Sequence, residues 1–393
     1  MMQSFHSYKS KLYESGLVPP GETVFGIIRD DTHVKVFFGR KNGERAILSA
    51  LMDHLPAKAL VFAKPAEPYH TITEYLAKSA SHTIYPDDSE TRTFLGDLPV
   101  VRDFSIDPIK KLLSDRKCLI IPGRGILALG ITGPKDAYTA FSAACFASFV
   151  KFFNDFLVDS RKKVKITENR HRTFARCVEN LPPVSVFDGG LMTGPFDNRK
   201  DACNAMIETG ARIVSLGLVD ACFGNISYRV DDNLYISKTG SFLDELSGDI
   251  AMCRTDDPKC ADQRPSSEYP AHREIIRNSD FRGVLHGHPL FSVIMSMDCH
   301  IECDHRGECH QRCPHYREIG GVPIVSGETG GGPQGLSATV PGMIKTSSSV
   351  IVYGHGVFTA TRDDFNTALG RIVDIEKMCR REYFKTAGVL GSD

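Results

Sequence analysis

The chain contains no tryptophan and carries almost no net charge: 47 Lys and Arg stand against 48 Asp and Glu in 393 residues, a formal charge of -1. Without a basic surplus there is no broad surface for a phosphate backbone, which argues against nucleic acid as a partner. No stretch stands out as approaching the apolar length that spans a bilayer. The opening MMQSFHSYKS lacks the apolar core of a secretory signal. A cytoplasmic protein without membrane contact is the default expectation. Cysteine, by contrast, is plentiful at 12 residues. In a reducing compartment these are expected as thiols or metal ligands rather than disulfides.

The length accommodates two domains of ordinary size. Residues 20–157 alternate strand-like apolar runs (VFGII, HVKVFF, ALVFAKP, CLIIPGRGILALG) with helical stretches. They end in DAYTAFSAACFASFVKFFNDFL, a helix apolar enough to require burial. Residues 158–197 begin basic and polar and are expected to form a linker or an exposed helix. Residues 198–388 form the second expected domain. It starts with the helix RKDACNAMIETGARIVSLGL and continues through FGNISYRV, NLYISKTG, EYPAHREIIRN, GVLHGHP, SSSVIVYGHGVFTA and a last helix, DDFNTALGRIVDIEKMCRREYF. This alternation implies a layered α/β architecture in both domains.

The two halves read as degenerate copies. A shift of 224 residues lays Phe62-Ala63-Lys64-Pro65 on His286-Gly287-His288-Pro289, Glu44 on Glu268 and Pro99 on Pro323. A shift of 231 lays IIPGRGIL on IVYGHGVF and Arg124 on His355. Identity is low, so the repeat rests on order and spacing.

The second domain carries the chemistry. Side chains two apart on a strand share a face, so His286 and His288 can meet one cation. His355, between Gly354 and Gly356, lies on a second predicted strand where small neighbours permit close approach. Three imidazoles leave an open position, as a catalytic Zn²⁺ needs. Glu268 follows Ser266-Ser267 and opens a helix, which places it at the edge of the site as a general base. The serines there either cap the helix or, with its amides, bind phosphate. His272 lies one turn on, on the same face, and reads as packing or support rather than as a ligand. Gly224-Asn225 and Thr239-Gly240 flank predicted strands and complete an anion cup of amides, hydroxyls and one side-chain amide.

The ordered set GNIS, SKTG, SSEYPAHREII, HGHP and YGHGVF resembles the class II aldolase/adducin family over about half the chain. The resemblance implies a fold of two three-layer α/β/α class II aldolase-like domains in tandem, the first degenerate. It implies His286, His288 and His355 as ligands of Zn²⁺ or another divalent ion such as Mn²⁺, Co²⁺ or Fe²⁺. Glu268 becomes the acid/base, and Gly224, Asn225, Thr239, Gly240, Ser266 and Ser267 the phosphate cup. The implied activity is that of a metal-dependent lyase on a small phosphorylated sugar or hydroxy-ketone, acting through a metal-stabilised enediolate. An epimerase or dehydratase on the same scaffold, or a non-catalytic adducin-like binding protein, are the alternatives. Retention of all three histidines favours an enzyme. Tyr316, Tyr383 and Asp298 are candidates for a second acid. The family also implies a homo-oligomer, either a tetramer or a dimer that forms a pseudo-tetramer.

Two features fall outside this resemblance. The insertion at 299–315 brings Cys299, Cys303, Cys309 and Cys313 together with His300, His305, His310 and His315, a density that points either to a second metal or to an exposed loop of reduced thiols. In the first domain Phe62, Lys64 and Arg124 replace the histidines, so that copy is expected to hold no metal. Glu44 is expected to pair with Lys64, and the two cations either form structural ion pairs or bind an anionic ligand.

Overall fold

The computed structural model describes residues 2–29, 34–38, 43–260, 263–328 and 332–388, and its contacts divide the chain into two units, Met1–Pro183 and Val184–Asp393. The first unit runs α1 (Met2–Glu14), β1 (Phe25–Arg29), β2 (Val34–Phe38), α2 (Gly43–His54), β3 (Ala59–Ala63), α3 (Tyr69–Ser79), β4 (Thr83–Ile84), α4 (Ser89–Leu95), β5 (Leu98–Pro99), α5 (Ile106–Leu113), β6 (Cys118–Ile121), β7 (Gly125–Gly130), α6 (Pro134–Arg161) and α7 (Glu168–Glu179). Its sheet has the order β2-β1-β3-β7-β6, antiparallel throughout. Leu48, Leu51 and Met52 of α2 and Ile109 and Leu113 of α5 pack with Leu60, Phe62 and Leu127 on one face. The long α6 packs against β3 and β7.

α6 corrects one expectation. With 28 residues it is long and apolar enough to cross a membrane, although no such stretch was expected. Here 78% of its apolar window is buried, so it serves as the core helix of this unit. Pro134 in its first turn costs nothing, since the amide it lacks has no helical partner. The stretch expected as a linker contributes the end of α6 and all of α7, and Phe174 of α7 stacks on Phe156 with ring centroids 3.8 Å apart.

The second unit contains α8 (Arg199–Ser215), β8 (Asn225–Val230), β9 (Asn233–Ser237), β10 (Ile250–Arg254), α9 (Tyr269–Arg277), β11 (Gly283–Gly287), α10 (Leu290–Met297), β12 (Arg317–Ile319), β13 (Val322–Val325), α11 (Leu336–Ser347), β14 (Ser349–Val352), β15 (Gly356–Thr361) and α12 (Phe365–Thr386). The eight strands are ordered β10-β9-β8-β11-β15-β14-β13-β12, and β13–β14 is the parallel pair among them. Tyr269, Ile275 and Ile276 of α9 and Leu336, Val340 and Ile344 of α11 share a core with Leu234, Val284, Val350 and Phe358 from one face of the sheet. α8 and α12 pack on β8, β11 and β15. Asn198 caps α8, accepting from the amide of Asp201 at 3.0 Å, and Asp364 caps α12 through Asn366 at 2.9 Å.

Each unit is thus a mixed α/β structure, and the two ladders correspond residue by residue. β3 pairs with β7 as Ala59↔Gly130 through Ala63↔Ile126, and β11 pairs with β15 as Gly283↔Thr361 through Gly287↔Val357. These are the same pairs under the shifts of 224 and 231. The hairpins β6–β7 and β14–β15 obey the second shift, from Cys118↔Ala128 to Ser349↔Thr359. Even the parallel bridge Val100↔Ile120 of the first unit has its counterpart in Ile324↔Ile351.

Two further expectations change. CLIIPGRGILALG and SSSVIVYGHGVFTA are not single strands; each is a hairpin, so Arg124 and His355 lie in turns. Among the cysteines, Cys253 on β10 is disulfide-bonded to Cys260, where free thiols were expected.

Candidate metal centre and active site

β11 delivers His286 within the strand and His288 just beyond its end, while the β14–β15 turn delivers His355. All three are buried, and one ring nitrogen of each lies within 4.8 Å of the others. Among the described residues this is the one group of three or more His, Cys, Asp or Glu side chains that meets so closely. A side chain on Gly356 would collide with the carbonyl oxygen of Gly287 and approach His286 Cε1 to 2.9 Å. Glycine there is what lets the turn bring His355 against β11. Gly356→Ala is therefore expected to destabilise the fold by about 1–3 kcal/mol and to weaken metal binding by about tenfold or more through displaced imidazoles. Melting curves and metal competition with a chromophoric chelator measure the two effects; unchanged metal affinity would contradict the argument.

The hydrogen bonds fix the ring states. His286 Nδ1–H donates to the Val357 carbonyl at 3.0 Å, so its Nε2 presents a lone pair inward. That nitrogen lies 2.7 Å from His288 Nε2. Phe358 stacks on the His286 ring with centroids 4.0 Å apart. Burial pushes His286 down to about 4, and burial with the neighbouring imidazoles holds His288 well below its ordinary value. Neutral imidazoles at pH 7 are the state that ligates a metal.

Glu268 is not at the edge of the site. It is buried at the head of α9, with Oε1 accepting from His355 Nε2 at 2.8 Å, Oε2 accepting from Asn225 Nδ2 at 2.7 Å, and His286 Nε2 at 3.5 Å. Burial alone would raise its pKa. The His286 and His355 imidazoles and the hydrogen bonds from His355 and Asn225 outweigh burial and hold it far below the usual carboxylate range. Asn225 pairs with His286 across β8 and β11. Its amide oxygen accepts from His272 Nε2 at 2.5 Å, and His272 Nδ1 accepts from Ser227 Oγ at 2.7 Å. Because Asn225 must turn its NH₂ to the carboxylate, its oxygen faces His272, which fixes the Nε2–H tautomer. A directed chain from Ser227 through His272 and Asn225 thus holds Glu268. Sequence reasoning gave His272 a supporting place but missed Ser227, although residues 225 and 227 share one face of a strand.

Burial drives His272 down to about 3. Both histidines have folded values below the unfolded 6.5. Between 6.5 and their folded values, the unfolded chain therefore binds more protons, and stability falls as pH falls. The metal-free protein is expected to lose roughly 1 kcal/mol per histidine for each pH unit below 6.5. A melting temperature flat from pH 7 to 4.5 would refute neutral burial of these rings.

The cup residues gather in part. The Lys238↔Pro265 bridge, with Thr239 N donating to Arg264 O and Ser266 N to Ser237 O, sets Thr239-Gly240 beside Ser266-Ser267. Ser237 Oγ in turn accepts from the amide of Ile226, next to Gly224-Asn225. Ser266 Oγ accepts from Glu268 N at 3.3 Å in the turn that leads into α9, while Ser267 is exposed. Asn225 departs from expectation, since its side-chain amide is committed to Glu268 and His272 rather than to a cup.

The four thiols of the insertion do not gather. Cys309 and Cys313 direct their sulfurs to the carbonyls of His305 and His315, and no three of the insert's ligand groups meet as the histidines do. Tyr383 is buried among Phe291 and Phe384, away from any acid role, and Tyr316 is exposed and donates to Glu318.

The sequence model described as the class II aldolase and adducin N-terminal domain matches residues 204–383. A 5-methylthioribulose-1-phosphate/5-deoxyribulose-1-phosphate aldolase from Rhodospirillum rubrum is 28% identical over 95 residues, 24% of this chain and 43% of that protein. A methylthioribulose-1-phosphate dehydratase from Gluconobacter oxydans is 31% identical over 102 residues, 25% of this chain and 49% of that one. The chain thus spans about half the length of these curated relatives or less. Among solved structures, an l-fuculose-1-phosphate aldolase from Thermus thermophilus aligns at 22% identity and a TM-score of 0.38, over 48% of this chain and 96% of its own.

Proposed function

We propose that the second unit, whose residues 204–383 match the class II aldolase and adducin N-terminal domain, is a metal-dependent lyase acting on a small phosphorylated ketose. The observation that carries the proposal is the convergence of three buried imidazoles on one point, His286 and His288 among them held neutral by burial, beside an ionised, buried carboxylate. A divalent cation held by His286, His288 and His355 would supply Lewis-acid polarisation of a substrate oxygen. Were His355 to hold the cation through Nε2, that nitrogen could no longer donate to Glu268, and Glu268 Oε1 would be free to take a proton from the substrate. Asn225 keeps hold of Oε2 and sets the orientation of the carboxylate. Thr239, Gly240, Ser266 and Ser267, with the start of β8 at Gly224 and Asn225, form the rim that would receive the phosphate.

Carbon–carbon cleavage and loss of water both begin with a proton moved at an activated ketose, and the two curated relatives are named for one outcome each. Incubating the metal-loaded protein with phosphorylated ketoses and identifying products by NMR separates them: an aldehyde with a shorter phosphorylated fragment marks the lyase, an unsaturated or diketo product the dehydratase. No turnover by protein holding one equivalent of zinc, manganese, cobalt or iron would overturn the proposal.

The shared ladder registers support a second element of this reading: the first unit is a duplicated copy that has lost its metal ligands. Gly125 stands where Gly356 does, and a side chain there would collide with the carbonyl of Ala63, as one on Gly356 would with that of Gly287. The close approach outlived the histidines it served.

A further inference from the structure

The first unit carries an open cleft with a cavity volume of about 590 Å³, a size ordinary for a small-molecule site. Its wall combines two cations, Lys64 and Arg124, with two carboxylates, Glu22 and Glu44, over the rings of Phe25 and Phe62. Lys64 follows β3, Arg124 occupies the β6–β7 turn, and Glu44 lies in the first turn of α2. Where Lys64 was expected to pair with Glu44, the pair is Arg124 Nη1 to Glu44 Oε1 at 2.6 Å, and among the described residues Lys64 forms no salt bridge. The Arg124 side chain is 45% exposed and that of Glu44 26%. An ion pair so open to water contributes little to folding, and a competing anion can displace it.

We propose that this cavity is a second, metal-independent binding site for a small hydroxylated anion, a phosphate ester or a carboxylate, distinct from the site on the second unit. The planar guanidinium of Arg124 and the ammonium of Lys64 hold the anionic group. Glu44, released from Arg124, and Glu22 accept from the ligand's hydroxyls. The Phe25–Phe62 pair, with centroids 6.1 Å apart, supplies an apolar floor for the carbon skeleton. Two cations and a phenyl ring at the places of three imidazoles leave no ligand set for a divalent metal, so binding here needs none. The proposal rests on the cavity and its charges, not on the reaction assigned to the second unit.

The test uses the full-length chain with dihydroxyacetone phosphate and inorganic phosphate as probes. Hydrogen exchange locates binding, and isothermal titration measures it. The expected result is protection of residues 59–64 and 118–126 by dihydroxyacetone phosphate, in the presence or absence of EDTA. Lys64→Met and Arg124→Met are each expected to weaken this binding by about tenfold or more, as loss of a charge-assisted hydrogen bond does, while leaving zinc content unchanged. Glu44→Gln removes the competitor for Arg124 and is expected to tighten inorganic phosphate binding about threefold. Absence of protection in the wild-type protein, affinity unchanged in both Met variants, or weaker phosphate binding by Glu44→Gln would each overturn the site. Inorganic phosphate binding as tightly as the ester would overturn the role given to the hydroxyls.

Discussion

Protein with His286→Ala and His288→Ala together is expected to bind no stoichiometric metal and to lose the proposed lyase activity by about 10³-fold or more. The remaining imidazole, His355, has a carboxylate oxygen 2.8 Å away as its standing partner, so it has little to offer a cation alone. Removing both rings also removes two buried polar groups that face each other at 2.7 Å. The cavity left between Phe358 and β11 costs about 2–4 kcal/mol, partly offset because neutral imidazoles no longer have to be kept from water. The fold should therefore survive at reduced melting temperature, and metal analysis by mass spectrometry of the folded variant is decisive. One equivalent of tightly bound metal in that variant would show that the ion sits elsewhere, with the thiols of the insertion the first place to look.

Much of this centre was legible in the sequence because its geometry is local. Two histidines separated by one residue, a third between glycines, and a glutamate at a helix start each carry their direction with them. The hairpin turn under His355 was not legible. SVIVYGHGVFTA is apolar on both sides of its glycines, and a continuous apolar run and a tight hairpin look alike until the strands are paired. Asn225 shows a different limit: an amide reads the same in sequence whether it faces a ligand or a buried carboxylate, and only the position of Glu268 decides. The insertion shows a third. Cysteine density is a property of composition, whereas convergence needs the loop to fold back on itself, and here it does not. The offsets of 224 and 231 recur in the strand registers, where the residues paired in β3–β7 and β6–β7 map onto those paired in β11–β15 and β14–β15.

Glu268→Gln is expected to lower kcat by about 10²–10⁴-fold while retaining metal and fold, and the relay explains why the fold tolerates it. In the metal-free protein glutamine keeps one acceptor but turns an NH₂ toward one of two donors, His355 Nε2 or Asn225 Nδ2. The conflict at Asn225 has a resolution inside the chain. If the Asn225 amide flips, its oxygen meets the new NH₂ and its own NH₂ faces His272 Nε2. His272 then shifts its proton to Nδ1 and donates to Ser227 Oγ, which can accept as readily as donate. Each of the four side chains in the relay then again has a hydrogen-bond partner, so the variant should melt within a few degrees of the wild-type protein. Nitrogen NMR of His272 reads the inversion directly, as a change from the Nε2–H to the Nδ1–H tautomer. A variant with activity within tenfold of wild type would remove Glu268 from proton transfer. An unchanged His272 tautomer would mean that the glutamine turned its NH₂ toward His355 instead, leaving the relay as it was and the ligand imidazole to give up its proton.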